Sequence, residues 1–209
     1  MLRNPLLGRW TSERADEEWE GWSPARAASE IGITEVPWCV TGGWAIELFV
    51  GTSFRAHGDL EVAIPSSRWS DFRRCLPGLE FFVAGSGELF SLEDPAFDEH
   101  HQTWGRDRLG RFRIDVFREP HDEDTWICRR DSALRRPYPD LIRRTNDGIP
   151  YMVPEVVLLF KAKHDLPKDR QDLHEALPRM DERSIGWLAD AIAIVHPNHQ
   201  WLALLPRPG

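Results

Sequence analysis

With 209 residues, 41% of them hydrophobic, the chain suits one domain, or one domain with a small appendage, built round a buried core. The net charge of −8 disfavours a nonspecific nucleic-acid binder, because such proteins gain affinity by neutralising phosphates. No apolar run approaches the roughly 20 residues of a membrane helix, and the start of the chain has no apolar signal region. The 3 cysteines show no zinc or redox spacing. We therefore expect a soluble, cytoplasmic protein with reduced thiols.

Turn residues and apolar periodicity divide the first half of the chain into short helices and strands. After a polar, tryptophan-dotted lead-in, the predicted elements are a helix at 24–32, a strand at 36–40, a helix at 44–50, a strand at 57–64, a helix at 66–76 and a strand at 79–84. The strand at 57–64 has the clearest alternation of period two. His57, Asp59 and Glu61 therefore share one of its faces, opposite its apolar side chains.

The second half predicts hairpins followed by helices. The predicted elements are a hairpin of 97–104 with 109–118, a short strand at 125–129, a hairpin at 141–153 round Asn146-Asp147-Gly148, and helices at 154–164, 168–177 and 182–195. The sequence therefore predicts an α+β fold in which a mixed sheet carries flanking helices. We expect a core at 1–153 and a helical C-terminal segment at 154–209 that packs on it.

Two acids on the strand at 57–64 are candidate metal ligands. Asp59 and Glu61 are two residues apart, which places both carboxylates on one face about 7 Å apart by strand rise. Such like charges repel unless a cation lies between them, and Mg²⁺ takes carboxylate and phosphate oxygens. On their own, the two acids are also compatible with an exposed strand face.

Two neighbouring features favour the metal site. Gly42-Gly43 follows a strand and opens a helix, an arrangement that lets backbone N–H groups approach a phosphate, although it is also common in simple turns. Asp115 is an isolated acid in Arg-Ile-Asp-Val-Phe on a predicted strand, and a shared metal would give it a partner. Three carboxylates round Mg²⁺ suit nucleotidyl transfer, in which one carboxylate can accept the proton of the attacking hydroxyl.

The stretch Thr41-Gly-Gly-Trp-Ala-Ile-Glu47, followed by Gly51, Arg55, His57 and Asp59-Leu-Glu61, resembles the nucleotidyltransferase superfamily signature. The resemblance is greatest to lincosamide nucleotidyltransferases and the aminoglycoside 2″-adenylyltransferase family, whose pattern is Gly-Gly-Trp-Ala-Ile-Asp, a Gly, then Arg-x-His-x-Asp-Ile-Asp. It implies a polymerase-β-like fold that uses Mg²⁺ and ATP or another nucleoside triphosphate, and a role in antibiotic resistance. By this resemblance Thr41, Gly42 and Gly43 bind the triphosphate, Asp59 and Glu61 bind Mg²⁺, and Asp115 is a third metal ligand or the catalytic base.

The C-terminal part also resembles this group, from Pro154 to Lys163 and again from Lys168 to Asp172. The resemblance implies a helix lysine that reaches the nucleotide phosphates. Lys161 and Lys163 are both candidates, but residues two apart on a helix cannot face one site, and we prefer Lys161 slightly. Asp169 and Asp172 are expected to orient these basic groups or to cap a helix.

Three positions depart from the family pattern: Glu61 replaces the second Asp, Glu47 replaces the Asp after Trp-Ala-Ile, and Gly58 stands where an acid is common. We interpret the change at Glu47 as structural. We expect Glu61, which is one methylene longer than Asp, still to ligate metal with altered geometry.

The sequence favours an enzyme that transfers a nucleoside monophosphate to a hydroxyl of a small molecule, with an aminoglycoside or lincosamide as the leading acceptor. A toxin–antitoxin type protein adenylyltransferase and a non-catalytic nucleotide- or metabolite-binding domain are the alternatives. Nucleic acid and membrane are not expected partners, and a homodimer is left open.

Overall fold

The computed structural model describes residues 8–11, 14 and 17–205. Its strands are β1 (Gly8–Arg9), β2 (Cys39–Val40), β3 (Glu61–Pro65), β4 (Glu80–Gly85), β5 (Glu88–Phe90), β6 (Gln102–Arg106), β7 (Phe112–Glu119), β8 (His121–Asp122), β9 (Thr125–Ile127), β10 (Arg135–Pro137), β11 (Ile142–Arg144) and β12 (Pro150–Met152). Its helices are α1 (Pro24–Ile31), α2 (Gly42–Val50), α3 (Trp69–Cys75), α4 (Ala96–Glu99), α5 (Tyr138–Leu141), α6 (Pro154–Ala162), α7 (Pro167–Ala176) and α8 (Glu182–Val195).

Two compact units make up the described chain. The first unit contains the described residues up to Trp38 together with Ala56–Glu119, and the second contains Cys39–Arg55 and the described residues from Pro120 onward. This division differs from the predicted boundary after residue 153. The physical reason is that α2 packs against α6 and α7, so that this early helix belongs with the C-terminal helices.

The first unit is a mixed sheet with the strand order β1-β5-β4-β6-β7-β3. β3 and β7 are parallel, whereas β6 and β7 form an antiparallel hairpin, as the sequence predicts. Its apolar core contains Phe82, Ala84, Leu89 and Phe112, with Trp10, Trp19 and Trp104 packed against them. The lead-in before α1, for which no element is predicted, thus contributes β1 and two core tryptophans.

The second unit contains the strand order β2-β12-β11 and a separate three-stranded sheet, β10-β9-β8. The predicted hairpin at 141–153 is confirmed as the antiparallel pair of β11 and β12. Residues 154–159 of α6 are all buried, because α2, α7 and α8 pack round this helix. Such burial explains why its sequence is apolar on nearly every face.

The predicted α+β class with a mixed sheet and flanking helices is confirmed, but some element boundaries are wrong. The strand predicted at 57–64 begins only at Glu61, so His57 and Asp59 precede it. Residues 97–99, predicted as strand, form part of α4, and β5, β8 and β10 are absent from the prediction. Within the described ranges, no helix is long and apolar enough to cross a membrane.

Candidate active site

The carboxylates of the predicted metal site all lie in the first unit. Glu61 and Asp115 are Cα partners in the parallel pair of β3 and β7, and the Asp115 N–H donates to the Leu60 carbonyl at 2.8 Å. Asp115 is buried, with 4% of its surface exposed, whereas Glu61 is half-buried and Asp59 is exposed just before β3. Because neighbouring strands are about 4.8 Å apart, this register brings Glu61 and Asp115 together.

Asp115 has two unequal carboxylate oxygens. Its Oδ2 accepts a hydrogen bond from Gln102 Nε2 at 2.7 Å, whereas its Oδ1 is buried without a hydrogen-bond partner. Burial raises the pKa of the Asp115 carboxyl well above its usual range, and the negative charges of Glu61 and, more weakly, Asp59 raise it further. The N–H groups of the Gln102 and Trp104 side chains oppose this rise. Asp115 is therefore a carboxyl group whose ionisation is costly without a nearby positive charge.

Asp59 is placed by a close backbone contact with Gly21. The Gly21 N–H donates to the Gly58 carbonyl at 3.4 Å, and a Cβ at position 21 would lie 2.9 Å from the Asp59 Cα and carbonyl carbon. The flanking residues hold this segment along β7, because the N–H groups of Glu20 and Trp22 donate to the Phe112 and Arg113 carbonyls. Position 21 therefore accepts only glycine without displacement of the Asp59 backbone.

The donor chemistry fits a divalent cation of the Mg²⁺ type. Among the residues that the structure describes, no three or more His, Cys, Asp and Glu side chains are grouped closely enough to hold a metal ion by themselves. Mg²⁺ proteins commonly supply only one or two carboxylates, and substrate phosphates and water complete the shell. The buried Asp115 oxygen that lacks a partner, beside the charges of Glu61 and Asp59, is consistent with such an open site.

The predicted phosphate-binding turn lies in the second unit. Gly42 has a φ of +62°, a left-handed conformation that favours glycine, and it begins the nine-residue helix α2. Thr41 is buried and its hydroxyl donates to Met152 Sδ at 3.4 Å, so this hydroxyl is occupied inside the unit. The first N–H groups of a helix lack intrahelical acceptors and lie at its positive end, which suits an anion.

Glu47 has a structural contact that agrees with its interpretation from the sequence. This buried carboxylate follows the glycine turn on α2, and its Oε1 accepts hydrogen bonds from the N–H groups of Phe54 and Arg55, both at 3.0 Å. Glu47 thus fixes the loop that leaves α2.

Lys161 belongs to an ion-pair network of the second unit. Its Nζ lies 2.7 Å from Asp172 Oδ2 and 3.1 Å from Asp169 Oδ1. Arg55 also donates to Asp172, through Nε at 2.7 Å and through Nη2 at 2.9 Å. Asp172 is completely buried. Asp169 and Asp172 therefore contact the predicted lysine, whereas Lys163 is exposed just after α6 ends.

Three residues of this site carry no distinctive sequence signal. Gly21, Gln102 and Trp104 all lie outside the motif, and their proximity to Asp59 and Asp115 follows from strand register. The alternation of β6 could have indicated that Gln102 and Trp104 share a face, but not that this face meets Asp115.

Comparison with known proteins agrees with this architecture. Residues 28–86 match the family model described as aminoglycoside-2″-adenylyltransferase, a span that contains Gly42, Gly43, Asp59 and Glu61 but ends before Asp115. The crystal structure of ANT(2″)-Ia in complex with adenylyl-2″-tobramycin has a TM-score of 0.53 at 13% identity, over 82% of this chain and 94% of that one. The fold is that of a nucleotidyltransferase.

Two further structures support the same fold. Lincosamide antibiotic adenylyltransferase LnuA, bound to lincomycin, has a TM-score of 0.50 at 16% identity, over 75% of this chain and 93% of that one. The solution structure of the antibiotic-resistance factor ANT(2″)-Ia has a TM-score of 0.52 at 14% identity, over 87% and 91% of the two chains. No curated protein sequence matches the chain. The predicted resemblance to nucleotidyltransferases of the antibiotic adenylyltransferase type is confirmed.

Proposed function

We propose that this protein is a Mg²⁺-dependent enzyme that transfers a nucleoside monophosphate from ATP, or another nucleoside triphosphate, to a hydroxyl of a small molecule. The leading acceptor class is an aminoglycoside or lincosamide antibiotic. The matched family model is that of an aminoglycoside adenylyltransferase, and two of the similar structures contain lincomycin or adenylyl-2″-tobramycin. The observation that carries the proposal is the pairing of Glu61 with Asp115 across β3 and β7, just after Asp59 in the chain. The Asp115 Oδ1 atom is buried there without a hydrogen-bond partner.

Asp59, Glu61 and Asp115 are the proposed metal ligands. The bound cation would supply positive charge that neutralises the triphosphate and lowers the pKa of the attacking hydroxyl. Glu61 and Asp59 supply the negative charge that attracts the cation. The Cα of Glu61 is fixed opposite that of Asp115, and the half-buried Glu61 side chain would reach the cation from this position.

Asp115 is also the proposed proton acceptor. The acceptor oxygen forms a bond to the α-phosphorus while the bond from this phosphorus to the bridging oxygen breaks, and pyrophosphate leaves with the electron pair. The proton of the hydroxyl passes to a carboxylate. Burial and Glu61 raise the pKa of Asp115 in the metal-free protein, and the positive charge of a bound cation would favour the ionised form that accepts this proton.

Residues of the second unit are proposed to bind the nucleotide phosphates. The backbone N–H groups of the Gly42-Gly43 turn are the proposed donors, since the Thr41 hydroxyl is turned towards Met152. Lys161 would contribute positive charge from within its network with Asp169 and Asp172, and Lys163 is the exposed alternative.

Incubation with α-labelled ATP, Mg²⁺ and a panel of aminoglycosides and lincosamides tests this function. We expect labelled antibiotic and an equal amount of pyrophosphate, both of which Asp115→Asn should abolish. Glu88→Gln, which changes an exposed acid of β5 in the same unit, is the matched control and should leave the activity unchanged. Absence of transfer to every acceptor and with every nucleoside triphosphate would contradict the proposal.

A non-catalytic nucleotide-binding domain is the second candidate. It is favoured by the lack, within the described ranges, of a group of three metal-binding side chains that is already assembled. Calorimetry with ATP and Mg²⁺ separates the two candidates, because this one requires binding without product formation.

A further inference from the structure

We propose that Gln102 is a positioning residue that fixes the orientation of the Asp115 carboxylate for the cation and the acceptor hydroxyl. This inference rests on the proposed function, because it assigns a role to a residue that acts through Asp115. Its basis is the hydrogen bond of 2.7 Å from Gln102 Nε2 to Asp115 Oδ2, which leaves Oδ1 as the oxygen without a hydrogen-bond partner.

Strand register explains why a glutamine at this position reaches Asp115. Trp104 on β6 is the direct Cα partner of Asp115, and Gln102 is the partner of Phe117, so Gln102 is a diagonal neighbour of Asp115. Diagonal neighbours across an antiparallel pair are about 7–8 Å apart, a distance that only long side chains can bridge. Gln102 is long enough and carries an N–H donor at its end.

Trp104 is the other side chain of β6 that lowers the Asp115 pKa, but its indole is held by aromatic contacts. Its ring packs edge-on against Trp10 at 5.0 Å and against Trp19 at 5.2 Å between ring centroids. Its Nε1 is buried without a hydrogen-bond partner. The aromatic core therefore holds this indole in place, and the geometry assigns the short hydrogen bond to Gln102.

The chemistry of an amide suits this task. Its N–H binds one carboxylate oxygen without adding a full positive charge, whereas a lysine or arginine at position 102 would neutralise Asp115 and compete with a cation. The bond also stops free rotation of the carboxylate, which fixes Oδ1 in one place. Side chains that orient metal ligands in this way typically change metal affinity by about 10–100-fold when they are removed.

The test compares Gln102→Leu with Thr103→Val. Leucine keeps the bulk of residue 102 but cannot donate a hydrogen bond. Thr103 is the next residue of β6; it is buried and accepts a hydrogen bond from Arg118 Nε at 2.9 Å, so its variant also removes one hydrogen bond from this strand. Mn²⁺ binding, followed by electron paramagnetic resonance with and without a non-hydrolysable ATP analogue, is the first measurement. Steady-state kinetics with the acceptor found for the wild type is the second.

We expect Gln102→Leu to weaken Mn²⁺ binding by about tenfold or more. The same variant should lower kcat while the KM for the acceptor changes little, and Thr103→Val should retain the wild-type Mn²⁺ affinity even where its melting temperature falls. Wild-type Mn²⁺ affinity in Gln102→Leu, or an equal loss in Thr103→Val, would overturn the inference.

The Mn²⁺ measurement distinguishes this inference from the proposed function. If Gln102→Leu loses Mn²⁺ affinity but the wild type modifies no acceptor, the positioning role stands and the proposed transfer fails. If the wild type transfers nucleotide and Gln102→Leu binds Mn²⁺ and reacts equally well, the proposed transfer stands and the positioning role fails. A wild-type protein that binds no Mn²⁺ under either condition overturns both.

Discussion

Glu61 and Asp115 are Cα partners on two parallel strands, and the negative charge of Glu61 raises the pKa of the buried Asp115 carboxyl beyond the effect of burial alone. Two like charges at adjacent positions are unfavourable in a protein that has no cation to offset them. The pair therefore links the ionisation of Asp115 to stability and to metal binding, and both links can be measured.

Binding of Mg²⁺ or Mn²⁺ is expected to release protons. Below its raised pKa, Asp115 carries a proton that a cation must displace, so the affinity should rise with pH until Asp115 is ionised. Calorimetric titrations in two buffers with different ionisation enthalpies measure the number of protons released. Equal heats in both buffers, together with an affinity that does not depend on pH, would show that Asp115 is already ionised in the metal-free protein.

Asp115→Asn is expected to stabilise the metal-free protein while it abolishes activity. A carboxyl whose pKa is raised by folding binds more protons in the folded state than in the unfolded state, so its contribution to stability falls as pH rises between the two pKa values. Asparagine does not ionise, so the variant does not lose this stability as pH rises. Its melting temperature at neutral pH should exceed that of the wild type by about 2–4 °C for each kcal/mol gained in the free energy of unfolding. The gain should shrink as pH falls towards the ordinary pKa of aspartate.

Asp107→Asn is the matched control for the pH dependence, because its effect on stability should have the opposite sign to that of Asp115→Asn. Burial alone would raise the pKa of Asp107, but the N–H of Arg111 and the ion pair with Arg113 at 2.7 Å lower it overall. Asp107 therefore stabilises the protein above its unfolded pKa, and this stabilisation is lost as pH falls through the folded pKa. The asparagine variant should melt lower than the wild type at neutral pH. Identical pH profiles for the two variants would refute the assignment of Asp115 as the destabilising acid.

Gly21→Ala is expected to disturb Asp59 without touching the motif itself. Its new Cβ would lie 2.9 Å from the Asp59 backbone, so the segment at 58–60 must shift. We expect a loss of about 1–3 kcal/mol in the free energy of unfolding and a larger relative loss of activity. Urea unfolding and steady-state kinetics measure the two effects.

Gly78→Ala is the control for that variant, because a Cβ at position 78 meets nothing within 4 Å. It should leave both stability and activity close to those of the wild type. If Gly21→Ala behaves in the same way, the close approach to Asp59 has no consequence.

Asp172→Ala is expected to be strongly destabilising. Asp172 is completely buried and pairs with Arg55 and Lys161, so its removal leaves both basic groups short of negative charge. Loss of one member of a buried ion pair typically costs about 3–5 kcal/mol. Urea unfolding of this variant can be compared with that of Asp71→Ala, which removes a partly exposed carboxylate that pairs with Arg68 and Arg74 and should have little effect. Similar midpoints for the two variants would contradict a structural role for the network.

The sequence predicted the elements whose signals are local. Gly32 and Gly51 end α1 and α2 where expected, and the Asn146-Asp147-Gly148 turn lies between β11 and β12. The sequence predicts the start of β3 four residues too early, because Leu60, Val62 and Ile64 satisfy the alternation whether or not residues 57–60 belong to a strand. Local periodicity does not reveal which backbone hydrogen bonds form, and these hydrogen bonds define where a strand begins.

Parts of the candidate site depend on long-range register, which the sequence does not reveal. The sequence predicts a role for Asp115 because an isolated acid among apolar residues is unusual. The sequence does not indicate a role for Gln102, because a glutamine on a strand is ordinary until its partner is known. Lys161 shows a third limit, since helical spacing does not reveal that its Nζ pairs with the carboxylates of Asp169 and Asp172.

The contact between Gly21 and Asp59 has a consequence for how such proteins are recognised. The family match covers residues 28–86, whereas Gly21, Gln102 and Asp115 all lie outside it. Under the proposed function, activity would therefore depend on a glycine, a glutamine and an aspartate that lie outside the matched segment. A relative could keep every residue of the signature and still lose catalysis through a single methyl group at the position of Gly21.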